Sequence, residues 1–101
     1  MADKKLASIE VGQLIEQFLD YLLVERGLAR NTLKSYQADL HRFAQFLLQN
    51  NLQVTDFQEV AFTKYLAAIR SGADSLTESS IARNVVAIRT FYLFLQKRFD
   101  L

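Results

Sequence analysis

The chain has 101 residues, half of them apolar, which suffices for one hydrophobic core and is the ordinary size of a single domain. It has no cysteine and a single histidine, His41, so disulfides and thiolate metal sites are excluded, no metal or other cofactor is expected, and the composition suits a reducing compartment, the cytoplasm. The net charge of +1 offers a polyanion little by itself, and no apolar run approaches the roughly 20 residues that cross a bilayer, so no membrane partner is expected.

The first residues are polar and carry Lys4 and Lys5 without the apolar stretch of a secretory signal. Residues 1–9 therefore read as a flexible N-terminal segment ahead of one domain over 10–99. From Val11, the residues Leu14, Ile15, Phe18 and Leu22 recur at three-and-four spacing, which predicts a first helix from Glu10 to Arg26, closed by Gly27. The segment 28–32 connects it to a second helix, with Asn31 as the expected cap and Gln49 as the last residue. Leu33, Tyr36, Leu40, Phe43 and Leu47 form the inner stripe of that helix. Lys34, Ala38, His41 and Gln45 fall opposite, with Ser35 and Arg42 nearby. Asn50 and Asn51 end it.

Asp56 and Glu59 have the spacing of a capping box for a third helix reaching Arg70, with Val60, Tyr65, Leu66 and Ile69 toward the core. Gly72 closes that helix and a polar link, 71–75, follows. Thr77 is the expected cap of a fourth helix ending near Phe99, with Ile81, Val85, Ile88, Tyr92 and Leu95 inside. Proline is absent, only three glycines are present, and no repeat or long linker divides the chain, so the fold class is all-α, four helices around one core. Val86, Leu93 and Phe94 fall away from the inner stripe. They either meet other core helices at a wide packing angle or form a docking surface.

The charge is unevenly distributed. Residues 30–50 and 77–99 carry seven Lys or Arg against Asp39 and Glu78, a balance of +5, whereas the remainder carries five against nine, a balance of −4. A polyanion is drawn to one side of such a molecule and repelled from the other. On the fourth helix Ser79, Arg83 and Thr90 share the side opposite the stripe, with Ser80 on a flank. Hydroxyls and cations so arranged suit phosphate oxygens, and an arginine one turn further along suits a base edge in the major groove; solvation of an exposed helix accounts for the same pattern. The remaining chemistry-bearing residues do not form a catalytic set. His41 has no second histidine or cysteine to work with, Tyr36, Tyr65 and Tyr92 lie on apolar stripes, and Glu16 and Asp20 fit a solvated helix face.

Two stretches, Gly27-Leu28-Ala29-Arg30-Asn31-Thr32-Leu33-Lys34-Ser35-Tyr36 with Asp39-Leu40, and Leu76-Thr77 through Ser80-Ile81-Ala82-Arg83 to Ala87-Ile88-Arg89-Thr90-Phe91-Tyr92, resemble the N-terminal core-binding domain of tyrosine recombinases, of the Xer and phage-integrase type. The resemblance runs from about Glu10 to Phe99. It implies a compact orthogonal bundle of four main helices, SAM-like, that binds double-stranded DNA with its second and fourth helices. By position it assigns DNA contacts to Thr32, Lys34, Ser35, Arg42, Ser79, Ser80, Arg83 and Arg89. It further implies that catalysis resides in a C-terminal domain absent from this chain, that the chain is not itself an enzyme, and that sister subunits assemble as a tetramer on DNA while the isolated domain is monomeric. Gln37, Ala38 and Val86 depart from the pattern, which implies fewer phosphate contacts. On this reading Arg83→Ala weakens duplex binding and leaves folding intact. The alternative from another class is a helical protein-interaction or oligomerisation module using the outer apolar residues of the fourth helix.

Overall fold

In the computed structural model, which describes residues 9–72 and 75–99, the helical periodicity is realised four times. Helix α1, Val11–Val24, starts after an extended Glu10 and buries Leu14, Ile15, Phe18 and Leu22, the stripe read from spacing. Gly27 then adopts φ +60°, a left-handed conformation that costs other L-residues roughly 1–2 kcal/mol, and the turn lets the Leu28 N–H donate to the Leu22 carbonyl at 3.1 Å.

Helix α2, Arg30–Gln49, begins earlier than the sequence suggested. Ala29 is the extended residue at its head, its carbonyl accepts from Leu33 N–H, and no side chain caps the helix, so Asn31 sits inside the first turn and is not the cap. At the other end Asn51 takes φ 54° and Leu52 N–H reaches back to the Leu47 carbonyl at 2.9 Å, the six-to-one closure typical of a left-handed helix stop. Leu40, Phe43 and Leu47 are buried as expected, and Leu33 and Tyr36 are half-buried against the core.

A short 3-10 turn, Val54–Asp56, leads to α3, Glu59–Arg70. Asp56 does close a capping box, but with Gln53: its carboxylate accepts from the Gln53 N–H at 2.8 Å. The expected pairing of Asp56 with Glu59 is therefore replaced by one directed three residues back, and α3 starts without a side-chain cap. Tyr65 and Ile69 are buried and Leu66 half-buried, whereas Val60 is 71% exposed and does not belong to the core. It lies in the first turn of α3.

Gly72, at φ +95°, follows α3. Helix α4, Glu78–Phe99, has its predicted cap, since the Thr77 hydroxyl accepts from Ser80 N–H at 3.2 Å. Its buried side is broader than one stripe. Besides Ile81, Ile88 and Leu95 it takes in Asn84, Ala87, Phe91, Phe94 and Phe99, while Val85 and Tyr92 are half-buried. Phe94 is thus a core residue, packed between Phe18 and Tyr21 of α1 with ring centroids at 5.4 and 5.1 Å; only Val86 and Leu93 of the outer trio are exposed. α4 needs this breadth because α1, α2 and α3 all pack against it. Phe43 of α2 is central to the core, edge-on to Phe57, Tyr65, Phe91 and Tyr92. Such pairs add about 0.5–1.5 kcal/mol each beyond area burial. The Cα radius of gyration, 13.4 Å, matches the roughly 13 Å of a 100-residue domain. Residues 1–8 of the expected flexible segment and 73–74 of the polar link lie outside the described residues.

Candidate nucleic-acid interface

α2 and α4 are joined where the core turns polar. Asp39 of α2 is only 3% exposed, a burial that a carboxylate tolerates only when its oxygens are occupied. Arg83 of α4 supplies the bonds: Nε donates to Oδ2 and Nη2 to Oδ1, both at 2.9 Å. Asn84, fully buried, donates from Nδ2 to the same Oδ1 at 3.3 Å and to the Asp39 carbonyl at 3.4 Å, and its Oδ1 accepts the Tyr65 hydroxyl at 2.6 Å. One connected network therefore ties α2, α3 and α4 together, and no buried side-chain polar atom among the described residues lacks a partner. Bonding to Asp39 raises the Arg83 pKa further above its ordinary value. Burial pushes the Tyr65 phenol up, and the charge of Arg42 opposes that push, which sets Arg42 beside the same network.

This clasp was not legible as such. Asp39 and Arg83 are 44 residues apart, and each reads in the sequence as an independent surface charge. The clasp bears on one expectation: Arg83 is bonded within the fold as well as exposed at the surface, so Arg83→Ala is expected to lower stability as well as duplex binding. Its side chain is still 46% exposed, so part of the guanidinium faces water.

Around the clasp, Thr32, Ser35, Asp39 and Arg42 follow one another at three-and-four spacing along one flank of α2. Thr32 is exposed and Ser35 and Arg42 are half-buried. Across from them on α4, Ser79 precedes Arg83 by one turn; Ser79 is exposed, with its hydroxyl 3.3 Å from that of Thr77, and Ser80 is half-buried. Lys34 is exposed on the outward side of α2, in line with His41 and Gln45. Helical spacing thus sets Ser35 and Arg42 on the Asp39 flank of α2, and Ser79 one turn before Arg83 on α4.

Arg89 does not join them. Six residues beyond Arg83, it points about 120° away around the helix axis, and it is exposed on the side of α4 that carries Val86 and Leu93. Thr90 lies closer to the Arg83 side, but its hydroxyl donates back to the Val86 carbonyl at 2.8 Å. Three cations that were not singled out as site residues, Arg26, Lys97 and Arg98, line an open cleft between the end of α1 and the last turns of α4, floored by Tyr21, Leu93 and Phe94. Among the described residues no His, Cys, Asp and Glu cluster could hold a metal, and no helix is long and apolar enough to cross a membrane.

The model of the phage integrase N-terminal, SAM-like domain matches residues 15–98. A Staphylococcus aureus protein (strain bovine RF122 / ET3-1) named tyrosine recombinase XerC is 43% identical over 77 residues, 76% of this chain and 25% of the relative. Proteins of the same name from strains MRSA252 and JH9 match at the same identity and coverage. The chain therefore spans about a quarter of the length of the curated relatives it matches. No solved structure matches.

Proposed function

The chain belongs to the phage integrase N-terminal, SAM-like domain family, as found at the N-terminus of Xer-type tyrosine recombinases, and from that premise we propose that it binds duplex DNA and positions a recombinase's catalytic domain on its recombination site. The observation that carries the reading is the Asp39–Arg83 clasp, which holds the two most basic helices together; Ser35 and Arg42 follow the Asp39 flank of α2 and Ser79 precedes Arg83 by one turn on α4, and we read the four as one polar surface. Hydroxyls and guanidinium groups in such company suit phosphate oxygens and base edges together. Thr32, Lys34 and Ser80 extend the surface; Arg89 reaches DNA only if the duplex also covers the outer side of α4.

On this reading the chain binds and does not cut. Strand exchange belongs to the other three quarters of a protein of the relatives' length, in the cytoplasm, with sister subunits on the same DNA. An NMR titration with a short duplex at low salt tests it. Amide shifts are expected along α2 and the first half of α4; no shifts, or shifts confined to α1 and α3, overturn it.

A second reading has one observation in its favour. Val86 and Leu93, 47% and 56% exposed, share the outer side of α4, and Leu93 opens onto the cleft floored by Tyr21 and Phe94. Exposed apolar groups in that arrangement suit a protein partner. The same titration separates the two, because a protein-interaction module gives no ordered response to duplex.

A further inference from the structure

Arg83 meets Asp39 side-on, through Nε and Nη2. A guanidinium has five N–H donors in one plane, and this contact consumes two of them. What remains includes the end-on fork, one N–H each from Nη1 and Nη2, parallel and directed away from the carboxylate. Asp39 is buried while nearly half of the Arg83 side chain is exposed, so the pair has an anionic end in the protein and a donor fork at its solvent end. Asn84 holds the carboxylate from the far side, and Tyr65 holds Asn84, so the clasp is braced by a third helix.

We propose that Asp39 is a positioning residue that aims the free fork of Arg83 at a pair of acceptors on a base edge, such as guanine O6 and N7. The inference rests on the DNA-binding reading above and adds a division of labour to it. Asp39 cancels most of the charge of Arg83, so Arg83 contributes directed hydrogen bonds and sequence preference. Lys34, exposed and without an ion pair to a described residue, contributes affinity that depends on salt. An arginine locked by its neighbour loses little freedom on binding and cannot turn to suit the wrong base.

Selection of duplexes from a randomised pool tests the proposal, using the unmodified chain, Asp39→Asn and Arg83→Lys, each checked for folding by circular dichroism. Asp39→Asn keeps the shape of the side chain but releases the fork; Arg83→Lys keeps a cation but has no fork. The unmodified chain is expected to enrich a motif. Both variants are expected to lose about tenfold in preference for that motif over a scrambled duplex. Asp39→Asn is expected to bind the scrambled duplex at least as tightly, because it unmasks a positive charge. A purely structural role predicts instead that Asp39→Asn weakens binding to both duplexes by the same factor, and that result overturns the proposal, as does an intact motif in either variant. If Asp39→Asn does not fold, Arg83→Lys decides by the same criterion. Duplex binding by the unmodified chain without any enriched motif overturns this inference alone, whereas no duplex binding at all overturns the reading beneath it as well.

Discussion

A carboxylate survives at 3% exposure because Arg83 and Asn84 occupy both of its oxygens, so the cost of removing Arg83 is set by what Asp39 is left with. Loss of one partner from a fully buried pair costs roughly 3–5 kcal/mol. Arg83 is half solvated and Asn84 stays in place, so Arg83→Ala is expected to cost less, about 2 kcal/mol, measured as a lower urea midpoint at unchanged slope. The double variant Arg83→Ala with Asp39→Ala should recover part of the loss, since it removes the stranded charge; a double variant as unstable as the sum of the two singles would show that the pair is not coupled. Two tyrosines give the same core a dependence on alkaline pH. Burial raises the pKa of Tyr65 and Tyr92, helped at Tyr92 by the charge of Asp56.

The sign follows from which state keeps its protons. An unfolded chain releases its phenol protons at about pH 10, while folded Tyr65 and Tyr92 hold theirs to higher pH. Their contribution is fully present below about pH 10 and is lost as pH rises through the folded values, by at most about 1.4 kcal/mol per pH unit for each group. Tyr92→Phe should flatten that alkaline loss in urea midpoints measured against pH, even though it gives up the 2.6 Å bond from the Tyr92 hydroxyl to the Val54 carbonyl and so lowers stability at neutral pH by about 1 kcal/mol. An alkaline slope unchanged by the substitution would remove Tyr92 from the account.

At the scale of the helices, the stops are set by backbone conformation. A Cβ built on Gly27 meets nothing within 4 Å, so Gly27→Ala changes no packing and isolates the cost of φ +60°. The expected loss is about 1 kcal/mol, read as a fall of about 4–8 °C in Tm for a domain of this size. Such stops, and the apolar periodicity between them, were legible in the sequence: Gly27, Asn51, Gly72 and Thr77 mark real boundaries, and spacing alone gave the buried stripe of α1 and, on α2, Leu40, Phe43 and Leu47 but not buried Asp39. Other features were not legible, each for a physical reason. Asp56 stands three residues after Gln53 and three before Glu59, and spacing cannot say which way its carboxylate turns. Val60 departs from expectation, and for Phe94 spacing left two alternatives open of which packing against a further core helix holds, because a single stripe describes a helix with one neighbouring face. α4 packs against three helices and buries a wider arc, and the first turn of α3 leaves Val60 in water. For the candidate site, the sequence identified the two basic helices. It could not identify the clasp between them, because a contact across 44 residues leaves no local period.

For the whole molecule, the decisive question is whether duplex responds to net charge or to where the charge sits. Lys34→Ala and Glu16→Gln each remove one charge, of opposite sign, from an exposed position; Lys34 is on α2 beside the proposed surface and Glu16 is on the solvent side of α1. If net charge governs binding, the two substitutions shift affinity by similar amounts in opposite directions. If contact governs it, only Lys34 releases counterions, so Lys34→Ala should lower the slope of log affinity against log salt by about 1, while Glu16→Gln should leave the slope unchanged. Fluorescence anisotropy with a labelled duplex over a range of salt concentrations measures both. The small total of +1 makes the contrast informative, because a chain so close to neutral has little overall field to steer DNA. A clear slope that depends on Lys34 and not on Glu16 therefore requires local phosphate contacts on α2, and equal and opposite effects would mean that the basic balance of α2 and α4 is not organised into a binding surface.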